Sequence, residues 1–170
     1  MLYGVTGSGK STLAAAIAGR LDLPMVFIDD LTWLPGWDPV PDDEQRVIIE
    51  RICGQDCWVI DHGYGSWIDI PLARVNLIIG LDYPRLLSLS RLIRRSITNL
   101  ASGRPICNGN TESLRHLFQQ ESIVLWHFRS FARKRARMRG WAVDPTAPPV
   151  LLFDRPSQVA KWLGTLPRRD

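Results

Sequence analysis

The chain has 170 residues, 45% hydrophobic and 22% charged, which predicts a single domain able to bury a core without metal or disulfide support. Its composition excludes collagen-like and disordered chains, and no apolar run reaches the roughly 18 to 20 residues of a membrane-spanning helix. The three cysteines fit no zinc or disulfide spacing, and the N-terminus has no basic region followed by an apolar region, so we expect no secretory signal. We therefore expect a cytoplasmic protein with reduced thiols and no membrane association.

The net charge of +4 conceals an uneven distribution along the chain. Residues 1–83 carry 5 Lys or Arg and 12 Asp or Glu, whereas residues 84–139 carry 12 Lys or Arg and 2 Asp or Glu. A basic segment of this kind favours a polyanionic partner, either nucleotide phosphates or a nucleic acid. A solvated helix surface would give the same pattern, so charge alone leaves these explanations open.

Short apolar segments alternate with helical patterns along the whole chain. The apolar segments predict strands at 1–3, 25–28, 57–60, 75–81 and 150–153. The helical patterns follow at 13–21, 42–53, 84–97, 112–139 and 156–163. This alternation is typical of an α/β domain with a parallel sheet, in which ligands bind at the carboxyl ends of the strands. Asp29, Asp61 and Asp82 stand at those ends.

Residues 4–11 match G-x-x-x-x-G-K-[ST], the Walker A phosphate-binding loop (P-loop), at every fixed position. Glycines let backbone N–H groups approach phosphate oxygens, and the N-terminus of the next helix adds a positive dipole. Lys10 would reach the β- and γ-phosphates, and the Ser11 hydroxyl would ligate Mg²⁺. The predicted nucleotide-binding residues are Gly4, Thr6, Gly7, Ser8, Gly9, Lys10, Ser11 and Thr12.

Two strand-end carboxylates are candidates for the chemistry beside this loop. Asp29 could act as a catalytic base on an acceptor hydroxyl or hold Mg²⁺ through water. Asp61 ends the strand predicted to lie next to the P-loop strand and could be a carboxylate of the Mg²⁺ site. Capping of a turn is the alternative role for both, because Asp often ends a strand in this way.

Aromatic side chains cluster in the two loops that flank these carboxylates. Trp33, Trp37, Tyr64 and Trp67 could stack on the base or sugar of an acceptor, or they could form a small core beneath a long loop. His62 is the histidine nearest to the predicted chemistry, and it is either a catalytic group or an ordinary loop residue.

Three arginines precede a loop that contains Gly, Pro and Asn. Arg91, Arg94 and Arg95 lie about one helical turn apart, and the planar guanidinium binds phosphate through two parallel hydrogen bonds. Residues 91–111 are therefore predicted to form a lid that brings catalytic arginines to the transferred phosphate. The later basic run at 129–139 covers several faces of a helix, which favours a solvated surface over a nucleic-acid patch.

The motifs together resemble the adenylate-kinase-like P-loop proteins of the DNA topology modulation (FlaR-related) group. The resemblance rests on four segments and the arginines that follow them: 7–12, Trp33-x-Pro35-Gly36-Trp37 after Asp29, 58–61, and Leu81-Asp82-x-Pro84-Arg85 with Arg91, Arg94 and Arg95 beyond. It implies a nucleoside-monophosphate-kinase-like P-loop fold, one domain over 1–170 with five parallel strands in the order 2-3-1-4-5 flanked by helices. The P-loop itself predicts ATP and Mg²⁺ as cofactors. By position, Arg155 stands where adenylate-kinase-like folds hold adenine.

The chain departs from that group at two places. Asp61-His62-Gly63-Tyr64 replaces the expected Asp-Gly-Asn-Tyr, and Arg104-Pro105-Ile106 replaces Arg-Pro-Asp. Both departures fall where an acceptor or a lid would lie.

Two functions from different classes fit these observations. The first is an ATP-dependent phosphotransferase of the nucleotide or small-molecule kinase type with an unknown acceptor. A protein that only hydrolyses ATP is possible within this class. The second is a nucleotide-gated protein that binds nucleic acid through residues 84–139 and has little kinase turnover. The sequence predicts no oligomeric state.

Overall fold

A computed structural model describes residues 1–61, 65–103, 105–111 and 123–167 of the chain. The predictions for His62, Tyr64 and Arg104 lie outside the described residues, as does the 112–122 portion of the predicted long helix. None of the helices in the described ranges is long and apolar enough to cross a bilayer.

Five parallel strands form one sheet in the order β2-β3-β1-β4-β5, which confirms the expected fold class and strand order. The strands are β1 Leu2–Gly4, β2 Met25–Phe27, β3 Val59–Asp61, β4 Ile78–Leu81 and β5 Val150–Phe153. The helices are α1 Lys10–Leu21, α2 Asp29–Thr32, α3 Asp42–Cys53, α4 Asp69–Leu72, α5 Arg85–Ser102, α6 Ile123–Val143 and α7 Pro156–Thr165. Because all strands run the same way, their carboxyl ends form one edge of the sheet.

Several strand boundaries differ from the predictions, and local contacts explain the differences. The segment predicted as a strand from residue 75 becomes regular only at Ile78, because the Val75 N–H instead donates to the Pro71 carbonyl after α4. Ile28 is not the last strand residue but caps a helical turn, and its carbonyl accepts from Leu31. Asp29 therefore opens α2. The predicted buried strand at 25–28 is a sheet edge, where Phe27 remains 44% exposed.

Helices cover both faces of the sheet. Leu2 and Ile79 face a core that includes α1 and α7. Tyr3 and Ile78 face the opposite side, where they pack with Met138 of α6. Neighbouring residues of a strand point to opposite faces, so strand residues covered by helices on both sides are apolar at successive positions.

A buried carboxylate attaches α6 to the carboxyl edge of the sheet. Asp82 follows β4 and is 6% exposed. Its Oδ1 accepts a hydrogen bond from Arg135 Nε at 2.7 Å, and its Oδ2 accepts one from Arg139 Nε at 2.8 Å. The expectation that the basic run at 129–139 is a solvated surface is therefore wrong in part: two of its arginines pair with Asp82, and Lys134 is buried.

We expect Asp82→Asn to lower the free energy of unfolding by about 2 kcal/mol, because both arginine bonds lose their charged acceptor. Urea unfolding measures the loss. The matched control is Asp69→Asn, which breaks the surface pair with Arg46 and should cost much less because water screens it. Equal losses in the two variants would show that burial of the Asp82 pair contributes nothing.

Candidate functional site

The P-loop connects β1 to α1, and two of its glycines have a backbone conformation that favours glycine. Gly7 has φ +80° and Gly9 has φ +96°. At Gly7 a side chain would also overlap the Ser88 carbonyl oxygen and lie 2.9 Å from Leu92 Cβ. Glycine is therefore needed at this position for two reasons: the backbone turn has a positive φ, and α5 packs too closely against the loop to leave room for a side chain.

Lys10 and Ser11 lie in the first turn of α1, whose N-terminus has no side-chain cap among the described residues. Lys10 Nζ donates to the Val5 carbonyl at 3.1 Å, and Ser11 Oγ donates to Asp61 Oδ2. Burial lowers the pKa of Lys10, while the carboxylates of Asp61 and Asp29 oppose that shift. Two carboxylates thus lie within electrostatic range of the P-loop lysine.

The two candidate carboxylates occupy different positions at the sheet edge. Asp61 ends β3 and lies in register with Leu2 of β1 and Phe27 of β2. Asp29 is exposed at the start of α2, which follows β2, and β2 lies on the side of β3 away from β1. No group of three or more His, Cys, Asp or Glu suited to a metal ion occurs in the described ranges. The Ser11–Asp61 pair still fits Mg²⁺, which takes few protein ligands and keeps water and phosphate oxygens.

The three predicted catalytic arginines on α5 differ in where they point. Arg91 Nη1 donates to the Ser8 carbonyl at 3.3 Å, and its guanidinium lies 5.5 Å from the centre of the Tyr83 ring. Arg95, one turn later, is exposed but interacts electrostatically with Lys10. Arg94 is exposed and makes no hydrogen bond or ion pair with another described residue. The structure therefore brings Arg91 to the P-loop and Arg95 within electrostatic range of Lys10, whereas Arg94 makes no contact of either kind with the described P-loop residues.

The remaining predicted nucleotide contacts lie in two places. Thr12 is exposed on the first turn of α1, next to Ser11. Arg155 is exposed at the start of α7, beyond the carboxyl end of β5, and its described ion pair is with Asp154 at 3.8 Å. The role of Arg155 in holding adenine stays a prediction.

Helix α6 contacts the P-loop through a histidine that the sequence interpretation did not select. His127 is fully buried, and its Nδ1 lies 3.0 Å from the Thr6 carbonyl oxygen. A carbonyl only accepts, so Nδ1 carries the proton and donates it. Its Nε2 faces Ser88 Oγ at 3.5 Å. This side chain links α6, α5 and the P-loop.

Lys134 is a second residue that the sequence interpretation missed. It is 6% exposed and interacts electrostatically with Lys10, Asp29 and Asp61. Burial, reinforced by the Lys10 charge, lowers the pKa of Lys134 to about 7. The helical spacing of His127, Lys134 and Met138 is the one sequence signal that could have indicated an inward face.

The aromatic cluster divides into a core residue and a partly exposed pair. Trp67 is completely buried, and its Nε1 donates to Gln45 Oε1 at 2.9 Å. The hypothesis that Trp67 borders an acceptor is therefore wrong, because a fully buried ring cannot stack on a ligand. Trp33 and Trp37 are partly exposed and meet edge to face at 5.8 Å, close in sequence to Asp29.

The last residues of the predicted lid bind to the turn that carries these tryptophans. Asn110 Oδ1 accepts from the backbone N–H groups of Gly36 at 2.7 Å and Trp37 at 3.0 Å. Asn108 Nδ2 donates to the Asp30 carbonyl at 2.6 Å. Residues 105–111 thus attach the segment after α5 to the segment after β2.

No family model and no curated protein sequence matches the chain. Among solved structures, it is similar to a gluconokinase from Sinorhizobium meliloti 1021, with a TM-score of 0.54 and 17% sequence identity. The similarity covers 95% of this chain and 86% of the gluconokinase. At this identity the comparison shows the fold alone: the chain has the fold of a P-loop kinase.

The burial of His127 predicts how the stability of the protein depends on pH. Burial lowers the pKa of His127 below its usual 6.5, the Arg85 and Lys134 charges add to the shift, and the hydrogen bond to Thr6 opposes it. Below about pH 6.5 the unfolded chain therefore binds a proton that the native state resists, so stability falls as the pH falls.

We expect this acid-side loss to be smaller in His127→Asn, which can still donate to Thr6 but does not titrate. Urea unfolding of both proteins between about pH 7 and pH 5 measures the difference, because titrating groups shared by the two proteins cancel. If stability depends on pH in the same way in both proteins, the pKa of His127 does not differ between the native and unfolded states.

Proposed function

We propose that this protein is an ATP-dependent phosphotransferase that transfers the γ-phosphoryl group to an oxygen of a small acceptor, either a hydroxyl or a phosphate oxygen. The convergence of Lys10, Ser11 and Asp61 at the P-loop carries the proposal, in a chain whose fold is that of a P-loop kinase. Phosphoryl transfer depends mainly on positioning and charge neutralisation, and these residue types supply both.

Each residue has a defined task in this proposal. The backbone of 4–11 and the Lys10 ammonium bind the triphosphate, and Arg91 and Arg95 neutralise the transferred group. The acceptor oxygen attacks the γ-phosphorus, its proton passes to Asp29, and the bond to the bridging oxygen breaks so that ADP leaves. When bound, Mg²⁺ would offset phosphate charge, and Ser11 and Asp61 are the residues that would hold it.

The acceptor is proposed as a small polyhydroxyl compound, a nucleoside or a nucleotide. Trp33 and Trp37 lie near Asp29 in sequence and offer aromatic surface to a base or sugar ring. The name of the gluconokinase adds gluconate to the candidates. Membership of the DNA topology modulation group stays a hypothesis that rests on the sequence motifs.

The nucleic-acid alternative needs accessible cations in 84–139, and several of them have internal partners. Arg85 lies 4.5 Å from the centre of the Phe131 ring, and Arg135 and Arg139 bind Asp82. Lys134 is buried. These contacts favour the phosphotransferase over a protein that depends on many backbone phosphate contacts.

The test is an acceptor screen that measures ADP release with ATP and MgCl₂ over a blank without acceptor. The panel contains gluconate, other sugars and sugar acids, nucleosides and nucleoside monophosphates. We expect at least one acceptor class to stimulate ADP release. In Lys10→Ala, ATP affinity should fall about 10- to 100-fold, the cost of losing a charged hydrogen-bond partner.

Lys161→Ala is the matched control, because Lys161 is exposed on α7 and belongs to no predicted site. Unchanged ATP affinity and turnover in Lys10→Ala would contradict the P-loop assignment. Acceptor-independent ADP release would identify an ATPase. Steeply salt-dependent binding of an oligonucleotide without turnover would support the alternative function.

The positions of the α5 arginines predict unequal effects on catalysis. We expect Arg91→Ala to reduce turnover about 10³-fold, at the lower end of the range for arginine fingers, with a smaller effect on ATP affinity. Arg94→Ala should reduce turnover far less, because Arg94 is exposed and has no described contact with the P-loop. Turnover and calorimetric ATP affinity distinguish the two variants, and equal losses would refute this placement.

A further inference from the structure

One face of α6 lies against the P-loop and the sheet, and Lys134 belongs to that face. The buried residues of α6 are His127, Ser130, Phe131, Lys134 and Met138, which recur at helical spacing. His127 contacts the P-loop carbonyl of Thr6, and Met138 packs against the sheet. Lys134 lies between these two contacts along the helix, so it faces the carboxyl edge where the P-loop begins.

Lys134 is a buried residue whose ammonium forms no direct ion pair with a described carboxylate. Its side chain makes no hydrogen bond or ion pair with any residue in the described ranges, although it is only 6% exposed. The P-loop lysine, Lys10, carries a like charge and is its strongest electrostatic neighbour. Burying an unpaired ammonium beside a second ammonium destabilises the fold, and an anion placed between the two would remove that cost.

The neighbours of Lys134 locate that anion. Lys10 belongs to the nucleotide side of the site, where it would reach the β- and γ-phosphates. Asp29 and Asp61 are also within electrostatic range of Lys134, and they mark the acceptor side and the Mg²⁺ position in the proposed function. The region common to all three is the place where the terminal phosphoryl group of a bound nucleotide would lie.

We infer that Lys134 Nζ binds the γ-phosphoryl group of ATP together with Lys10, an inference that rests on the proposed phosphotransferase function. Arg91 and Arg95 approach from α5, whereas Lys134 approaches from α6. The contact is made with a nucleoside triphosphate and is absent with a diphosphate. Lys134 would then remain on the phosphoryl group as it moves towards the acceptor, and loss of the contact would lower turnover as well as triphosphate affinity.

The test compares Lys134→Met with the wild type by calorimetric titration of the non-hydrolysable ATP analogue adenylyl imidodiphosphate and of ADP, both with MgCl₂. Methionine is unbranched, of similar length and uncharged. We expect affinity for the analogue to fall about 10- to 100-fold while affinity for ADP changes little. Without nucleotide, the melting temperature should rise by about 2 to 4 °C, because an unpaired buried charge has been removed.

Two further variants make the outcome decisive. Lys161→Met removes an exposed lysine of α7 and should change neither nucleotide affinity nor melting temperature. Lys134→Gln keeps a polar side chain of similar length and should show the same selective loss of triphosphate affinity, which separates the lost charge from an effect of methionine packing.

Four results would overturn the inference. Equal losses of affinity for the analogue and for ADP would place the contact away from the γ-phosphate. A lower melting temperature with unchanged affinities would make Lys134 a structural residue. A wild-type protein that binds neither nucleotide would overturn the proposed function together with the inference, whereas normal wild-type binding with unchanged variants would overturn the inference alone.

Discussion

The carboxylate of Asp82 holds α6 across the carboxyl edge of the sheet, and the geometry of the candidate site depends on this contact. Arg135 and Arg139 reach it from successive turns of α6, so the contact sets both the position and the rotation of the helix. The carboxylate is buried, but the arginines keep contact with water, which reduces the desolvation cost of the pair. With α6 held in this way, His127 meets the P-loop and Lys134 comes near Lys10.

The P-loop is supported from three directions before any ligand binds. Asp61 of β3 accepts from Ser11, Arg91 of α5 donates to the Ser8 carbonyl, and His127 of α6 donates to the Thr6 carbonyl. A preorganised loop loses less conformational entropy on binding, so more of the interaction energy appears as affinity. The same arrangement concentrates cations at the site, which costs stability in the free protein and favours a highly charged anion.

Features that depend on local sequence were predictable, and features that depend on distant contacts were not. The P-loop could be recognised because its motif is contiguous, and the strand order followed from the family resemblance. The burial of Trp67 depends on Gln45 of another element, and the role of Asn110 depends on a turn more than seventy residues earlier. Lys134 appeared to belong to a solvated basic run because charge pattern alone does not give the rotation of a helix.

The most direct test of the account follows the phosphorus atoms themselves. Phosphorus NMR of the protein with ATP, MgCl₂ and pooled acceptors distinguishes a phosphoryl group on an acceptor from one transferred to water. We expect the resonances of ADP together with a new phosphomonoester or diphosphate resonance that requires the acceptor. ATP that remains intact with every acceptor pool, or that yields only ADP and inorganic phosphate, would contradict the proposed function.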